Sequence, residues 1–154
     1  MQQFEARVEW RRREQAFADH RYSRAHQWQF DGGLTVPASS SPLSVPVPMS
    51  DPGALDPEEA LVAAVSSCHM LFFLSFAARR GFVVDSYSDK PVGTMDKNAD
   101  GKMAMTRFTL RPAIAFGGER RPSGAELDAL HDEAHEHCYI ANSIKADVVI
   151  EGAS

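Results

Sequence analysis

Phe4, Ala6, Val8 and Trp10 alternate with Glu5, Arg7 and Glu9 at the start of the chain. A period of two predicts a half-buried strand. "AHQWQF" and "LTVPA" then flank "DGG" at positions 31–33, where Asp-Gly and Gly-Gly supply the positive φ angles of a tight hairpin. Six of the nine prolines fall between positions 37 and 57. Proline removes ladder donors, so this stretch reads as an extended connector or lid with at most an edge strand.

A helix is predicted from Pro57 to Arg80. Asp56 suits its N-cap, Pro57 its first position, and Glu59 completes a capping-box-like pair. Arg79 and Arg80 suit the negative C-terminal end and Gly81 the left-handed stop. Such a helix is about 36 Å long at 1.5 Å per residue. Between its caps it is apolar on nearly every face, so something must surround it. A chain of 154 residues has little to spare for that, which predicts a dimer whose subunits wrap each other's central helices.

Beyond the helix, "FVVDSYSDKPVGTM" and "KMAMTRFTLRPAIAF" read as two strands joined by "DKNADG". Asp96, Asn98, Asp100 and Gly101 imitate a calcium loop, but the twelfth position is Arg107 and strands flank it, so a hairpin turn is expected. A second helix starts at Ser123, with Glu126 three residues on. At 100° per residue Leu127, Leu130, His131, Ala134 and Cys138 share one face, away from Asp128, Asp132 and Glu136. "ADVVIEG" supplies a closing strand. The fold class is therefore α+β, in a single domain spanning 1–154.

Composition narrows the function without naming it. A formal charge of −5 and no clustered basic surface exclude a nucleic-acid partner. The N-terminus is charged from Glu5 onward and has no apolar h-region, so no secretory signal is expected. The uncharged run from Ala60 to Ala78 is 19 residues long, nominally enough to span a bilayer. Its serines, His69 and soluble-type helix ends favour a core helix over a membrane span. A cytoplasmic protein is expected, where a pair of cysteines is catalytic, redox-active or metal-binding more often than a static staple.

The chain has two cysteines, Cys68 and Cys138, on the apolar faces of two different helices. Faces of that kind pack together, which could bring the thiols within reach. Two inert core cysteines remain an equal reading. His131 and His135 at i, i+4 leave open a Cys/His metal-binding module. His69 points about 100° away from Cys68 around the helix, so it is no base for that thiol and reads as a core or rim histidine.

"DPEEALVAAVSSCHMLFFL" resembles the central-helix motif of the OsmC/Ohr family, the osmotically induced and organic-hydroperoxide-resistance proteins. "AHEHCYIANSI" is similar to the family's second motif, in which Asn follows Cys by four positions, here Cys138 and Asn142. His69 and Tyr139 stand where the family often has Phe and Pro, as in a divergent branch. The resemblance implies an OsmC-like α+β fold with antiparallel sheets, a long buried central helix and an intertwined dimer. It also implies a thiol peroxidase. Cys68 attacks an organic hydroperoxide and becomes a sulfenic acid, Cys138 condenses with it to a disulfide, and an external dithiol restores the pair. No bound cofactor is implied; the reductant is a lipoyl, thioredoxin-type or small thiol.

The resemblance further implies an assisting Glu and Arg. Glu58 matches the family's Glu, and Arg24 or Arg21, with spacing favouring Arg24, matches the Arg. A free thiol near pKa 8.5 is only a few per cent thiolate at neutral pH, and a guanidinium in a partly desolvated pocket favours the charged form. Glu58 and Cys68 lie about 15 Å apart along a straight helix. Either the helix breaks, or Glu58 serves the partner subunit's Cys68 in a composite site. Met70, Leu71, Phe72 and Phe73, with "LSVPVPM" as a lid, suggest an apolar pocket for alkyl or lipid hydroperoxides. The remaining alternative is a non-enzymatic binder of small apolar ligands on the same fold.

Overall fold

The computed structural model describes residues 1–152. The chain divides into two compact units, Met1–Ala60 and Leu61–Ser154. In the first, β1 (Ala6–Glu9), β2 (His26–Phe30) and β3 (Thr35–Ala38) form an antiparallel sheet in that order. The β2–β3 turn closes through Phe30 N–H donating to the Leu34 carbonyl at 2.9 Å, with Gly33 at φ 92°. That is the hairpin expected from "DGG". Strand β1 is shorter than the alternation suggested, and its apolar face is open: Phe4 and Val8 are exposed. The proline-rich connector follows β3, which is an edge strand, and returns to it only at the Ala38–Leu55 bridge.

Helix α1 spans Pro57–Arg79 without a break. Its start is the expected capping box: Glu59 N–H donates to Asp56 Oδ1 at 2.7 Å, and Asp56 N–H to Glu59 Oε2 at 3.5 Å. Gly81 at φ 80° ends it. As expected, the chain by itself does not enclose this helix. Only 28% of its apolar window is buried within the chain, and Leu71 is 61% exposed.

The rest of the second unit is β4 (Val83–Ser88), β5 (Val92–Lys97), β6 (Met103–Leu110), β7 (Ala113–Gly117), α2 (Gly124–His137), a 3-10 turn (Ala141–Ser143) and β8 (Asp147–Ile150). The two long strands expected here are each broken in two. β4 pairs with β7 in one sheet, while β5, β6 and β8 make another, with β6 and β8 parallel. The breaks fall at Pro91 and Pro112, where ladder donors are missing. At the bend Asp89 ties the breaks to α1, accepting from Arg111 N–H at 2.7 Å and from Ser66 Oγ–H at 2.5 Å. The loop between β5 and β6 is a turn, with Asn98 N–H donating to the Lys102 carbonyl and Gly101 at φ 75°.

Two apolar clusters fill this unit. Phe73, Phe76, Ala77 and Phe82 pack with Leu130 and Ala134, joining α1 to α2 over the β4–β7 sheet. Val65 packs with Phe108 and Leu110 over the second sheet. Gly93 makes the second contact possible, because a Cβ there would collide with Val62 of α1 and Met105 of β6. Helix α2 has the full capping box read from Ser123 and Glu126, and Asp128, Asp132 and Glu136 face solvent as expected.

Candidate functional site

Cys68 sits in the middle of α1, half-buried and free. Cys138 caps the C-terminus of α2 and is also free, with 1% of its surface exposed. Its position follows from local structure. The Cys138 N–H donates to the His135 carbonyl, and its Sγ accepts from Ala141 N–H at 3.4 Å. Asn142 then closes the turn, its N–H donating to the Cys138 carbonyl and its Nδ2 to the Glu136 carbonyl, each at 3.0 Å. The Cys-to-Asn spacing of four is thus the spacing of a helix stop that fixes the sulfur.

The fold brings the two thiols together, 70 positions apart in sequence. Burial pushes the Cys138 thiol up to about 11; the Ala141 N–H works against that shift, and the neighbouring Cys68 thiol adds to it. Cys138 is therefore a protonated thiol at neutral pH, waiting beside a half-exposed one.

His69 and His131 form a second, unanticipated pair. Nε2 of His69 lies 3.0 Å from Nδ1 of His131, and the rings are nearly parallel at 6°. His69 is a core histidine, as one of its sequence readings had it, but its partner was not foreseen. Burial, then repulsion from His131 and His135, lowers the His69 pKa to about 4. Burial lowers His131 too, against the opposing pull of Asp128, Asp132 and Asp89. The metal reading finds no support in this geometry: among the described residues no group of three or more His, Cys, Asp or Glu side chains is placed to hold an ion. Phe73, expected in a pocket wall, is instead fully buried in the core.

In the first unit Arg24 is half-buried and Arg21 exposed. The Arg24 guanidinium donates to the carbonyls of His20 and Tyr22 and lies over the Tyr22 ring, 3.7 Å from its centroid. Glu58 is half-buried on the first turn of α1. Neither makes an ion pair among the described residues. The unbroken α1 removes the possibility that a helix break carries Glu58 to Cys68.

A family model for OsmC-like proteins matches residues 50–152, a segment holding both cysteines and the helix start. The chain belongs to the OsmC-like family. An OsmC-like protein of unknown function from Vibrio cholerae is 50% identical, covering 98% of this chain and 99% of that one, with a TM-score of 0.96. An organic hydroperoxide resistance protein OsmC from Legionella pneumophila shares the fold at 16% identity and a TM-score of 0.73, covering 100% and 98% of the two chains. The organic hydroperoxide resistance protein OhrB of Bacillus subtilis does so at 18% and 0.64, covering 96% and 97%. No curated protein sequence matches the chain. The OsmC-like fold accounts for the parallel β6–β8 pair and the split sheets, which period-two patterning alone does not reveal.

Proposed function

We propose that this OsmC-like protein is a thiol-dependent peroxidase that reduces organic hydroperoxides. The observation that carries the reading is the asymmetric pair of free thiols, one partly exposed in the middle of α1 and one buried at the end of α2, near enough for Cys68 to add to the raised pKa of Cys138. The names of the Legionella and Bacillus relatives point the same way.

In the first step the Cys68 thiolate attacks a peroxide oxygen. The S–O bond forms, the O–O bond breaks, and the alkoxide takes a proton to leave as an alcohol. In the second, Cys138 Sγ attacks the sulfenic sulfur, the S–O bond breaks, and hydroxide departs with the Cys138 proton as water. An external dithiol, of lipoyl, thioredoxin-type or small-thiol class, then takes the oxidation away and returns both thiols.

Arg24 and Glu58 are assigned by the family resemblance to activation of the thiolate, Arg24 by its charge and Glu58 by orienting it. The protein works as a homodimer. Support comes from α1, which leaves an exposed stripe at Ala63, Ser67, Leu71, Ser75 and Ala78, and from exposed Val83, Met103 and Tyr139 in the same unit. The intact helix supports a composite site in which Glu58 acts on the partner subunit's Cys68.

The test is to add an organic hydroperoxide with a dithiol, follow peroxide loss, and map disulfides by mass spectrometry. Turnover with a Cys68–Cys138 bond, absent in Cys68→Ser, is expected. Thiols unchanged under excess peroxide would overturn the reading in favour of an apolar-ligand binder on the same fold.

A further inference from the structure

The two buried histidines have no part in the chemistry above. His69 is 1% and His131 4% exposed, and they come from different helices. Burying two imidazoles costs solvation that one mutual hydrogen bond only partly offsets. Among the described residues His69 Nδ1 and His131 Nε2 have no hydrogen-bond partner. Apolar rings would fill the same volume without that cost, so the pair is poorly explained as filler.

Its place in the fold suggests a use. Helix α2 touches α1 on two sides. On one, His131 meets His69 and lies 4.6 Å from Phe73, centroid to centroid. On the other, His137 lies 5.3 Å from Phe76, and Tyr139 lies 4.9 Å from Phe72. Cys68 is the residue before His69, and Cys138 follows His131 by seven positions, two turns along the same face. The apolar contacts are set by shape and area, not by direction. A hydrogen bond between two rigid rings is directional, and it fixes both the register and the rotation of α2 on α1.

We propose that the His69–His131 hydrogen bond is a register lock that positions Cys138 against Cys68, so that disulfide closure depends on it and peroxide attack does not. Closure needs the Cys138 sulfur to come within about 2.05 Å of the Cys68 sulfur at a restricted dihedral angle. A displacement of about 1 Å in a reacting group can cost on the order of 100-fold in rate. The peroxide half of this statement rests on the peroxidase reading; the thiol half does not.

Amide side chains separate the lock from mere packing. Gln at 69 and Asn at 131 place an amide where the bonding ring nitrogen stood, whereas Asn at 69 and Gln at 131 do not. The experiment measures Cys68–Cys138 closure with diamide, which accepts the two electrons of the thiol pair and becomes a hydrazine. His69→Gln and His131→Asn should close at the wild-type rate, and His69→Asn and His131→Gln about 10- to 100-fold more slowly. With an organic hydroperoxide, the slow variants should accumulate dimedone-trappable sulfenic acid on Cys68 at the wild-type rate of formation. Either position alone decides the matter if one slow variant fails to fold. Equal closure rates in all four variants would overturn the lock, as would a loss of peroxide attack matching the loss of closure. Correct ordering with diamide but no sulfenic acid from hydroperoxide keeps the lock and removes the peroxidase reading.

Discussion

Cys68 and Cys138 have different surroundings, so replacing each should fail differently. In Cys68→Ser no nucleophile remains, and turnover should vanish. In Cys138→Ser the first step survives, so one equivalent of peroxide should be consumed per chain to leave Cys68 as sulfenic acid, and a second only on its slower passage to sulfinic acid, read by mass spectrometry. His69 carries a prediction about pH. Its folded pKa of about 4 lies below its unfolded value of 6.5. The unfolded chain therefore binds the proton first as pH falls, and stability drops progressively from pH 6.5 down to 4. The loss amounts to about 3 kcal/mol across that window. The groups facing the pair set its size: His135 adds to it, while Asp89, Asp128 and Asp132 oppose protonation loss at His131. Urea unfolding at pH 7.5 and 4.5 should show a smaller acid penalty in His69→Gln than in the wild type; an equal penalty would place the acid sensitivity elsewhere. The thiols were legible in the sequence because two cysteines on two apolar faces have few places to go. The histidine pair was not, because its hydrogen bond joins residues 62 positions apart and periodicity says only that each ring faces inward.

At the scale of elements, local chemistry was written plainly and long-range pairing was not. Both helices start on capping boxes that three-residue spacings announce, and Gly81 and Gly101 stop or turn the chain where expected. Ser123→Ala should cost about 1 kcal/mol, since the Glu126 N–H loses its acceptor. The division of one long hairpin into β4–β7 and β5–β6 escaped the pattern, because Pro91 and Pro112 mark a bend without saying which sheet each half joins. Gly93 shows the same limit. Nothing in "KPVGTM" reveals that α1 and Met105 close over that position. Gly93→Ala should lose about 1–3 kcal/mol by overpacking, measured by chemical denaturation. A loss near zero would mean that Val62 and Met105 yield easily and that α1 sits less firmly on the sheet.

The largest scale is set by what the chain leaves uncovered. A 23-residue helix with a mean hydropathy of 1.9 in its apolar window, 28% of that window buried, needs a covering surface. A second copy is the covering proposed here because it also resolves the Glu58 problem. An unbroken α1 keeps Glu58 ten residues from Cys68, and the proposed composite site draws its Glu58 from the other chain. Leu71 tests both ideas at once. It is 61% exposed on α1, so Leu71→Glu should change the stability of a single chain by no more than about 0.5 kcal/mol. In a dimer buried around α1 the same carboxylate would be desolvated without a partner, and association should fail. Sedimentation should then find a folded monomer where the wild type is a dimer. Peroxide turnover should fall with dimerisation across protein concentrations, since each site would lose its Glu58. A monomeric variant with full turnover would separate the two ideas, leaving the dimer in place and confining the active site to one chain.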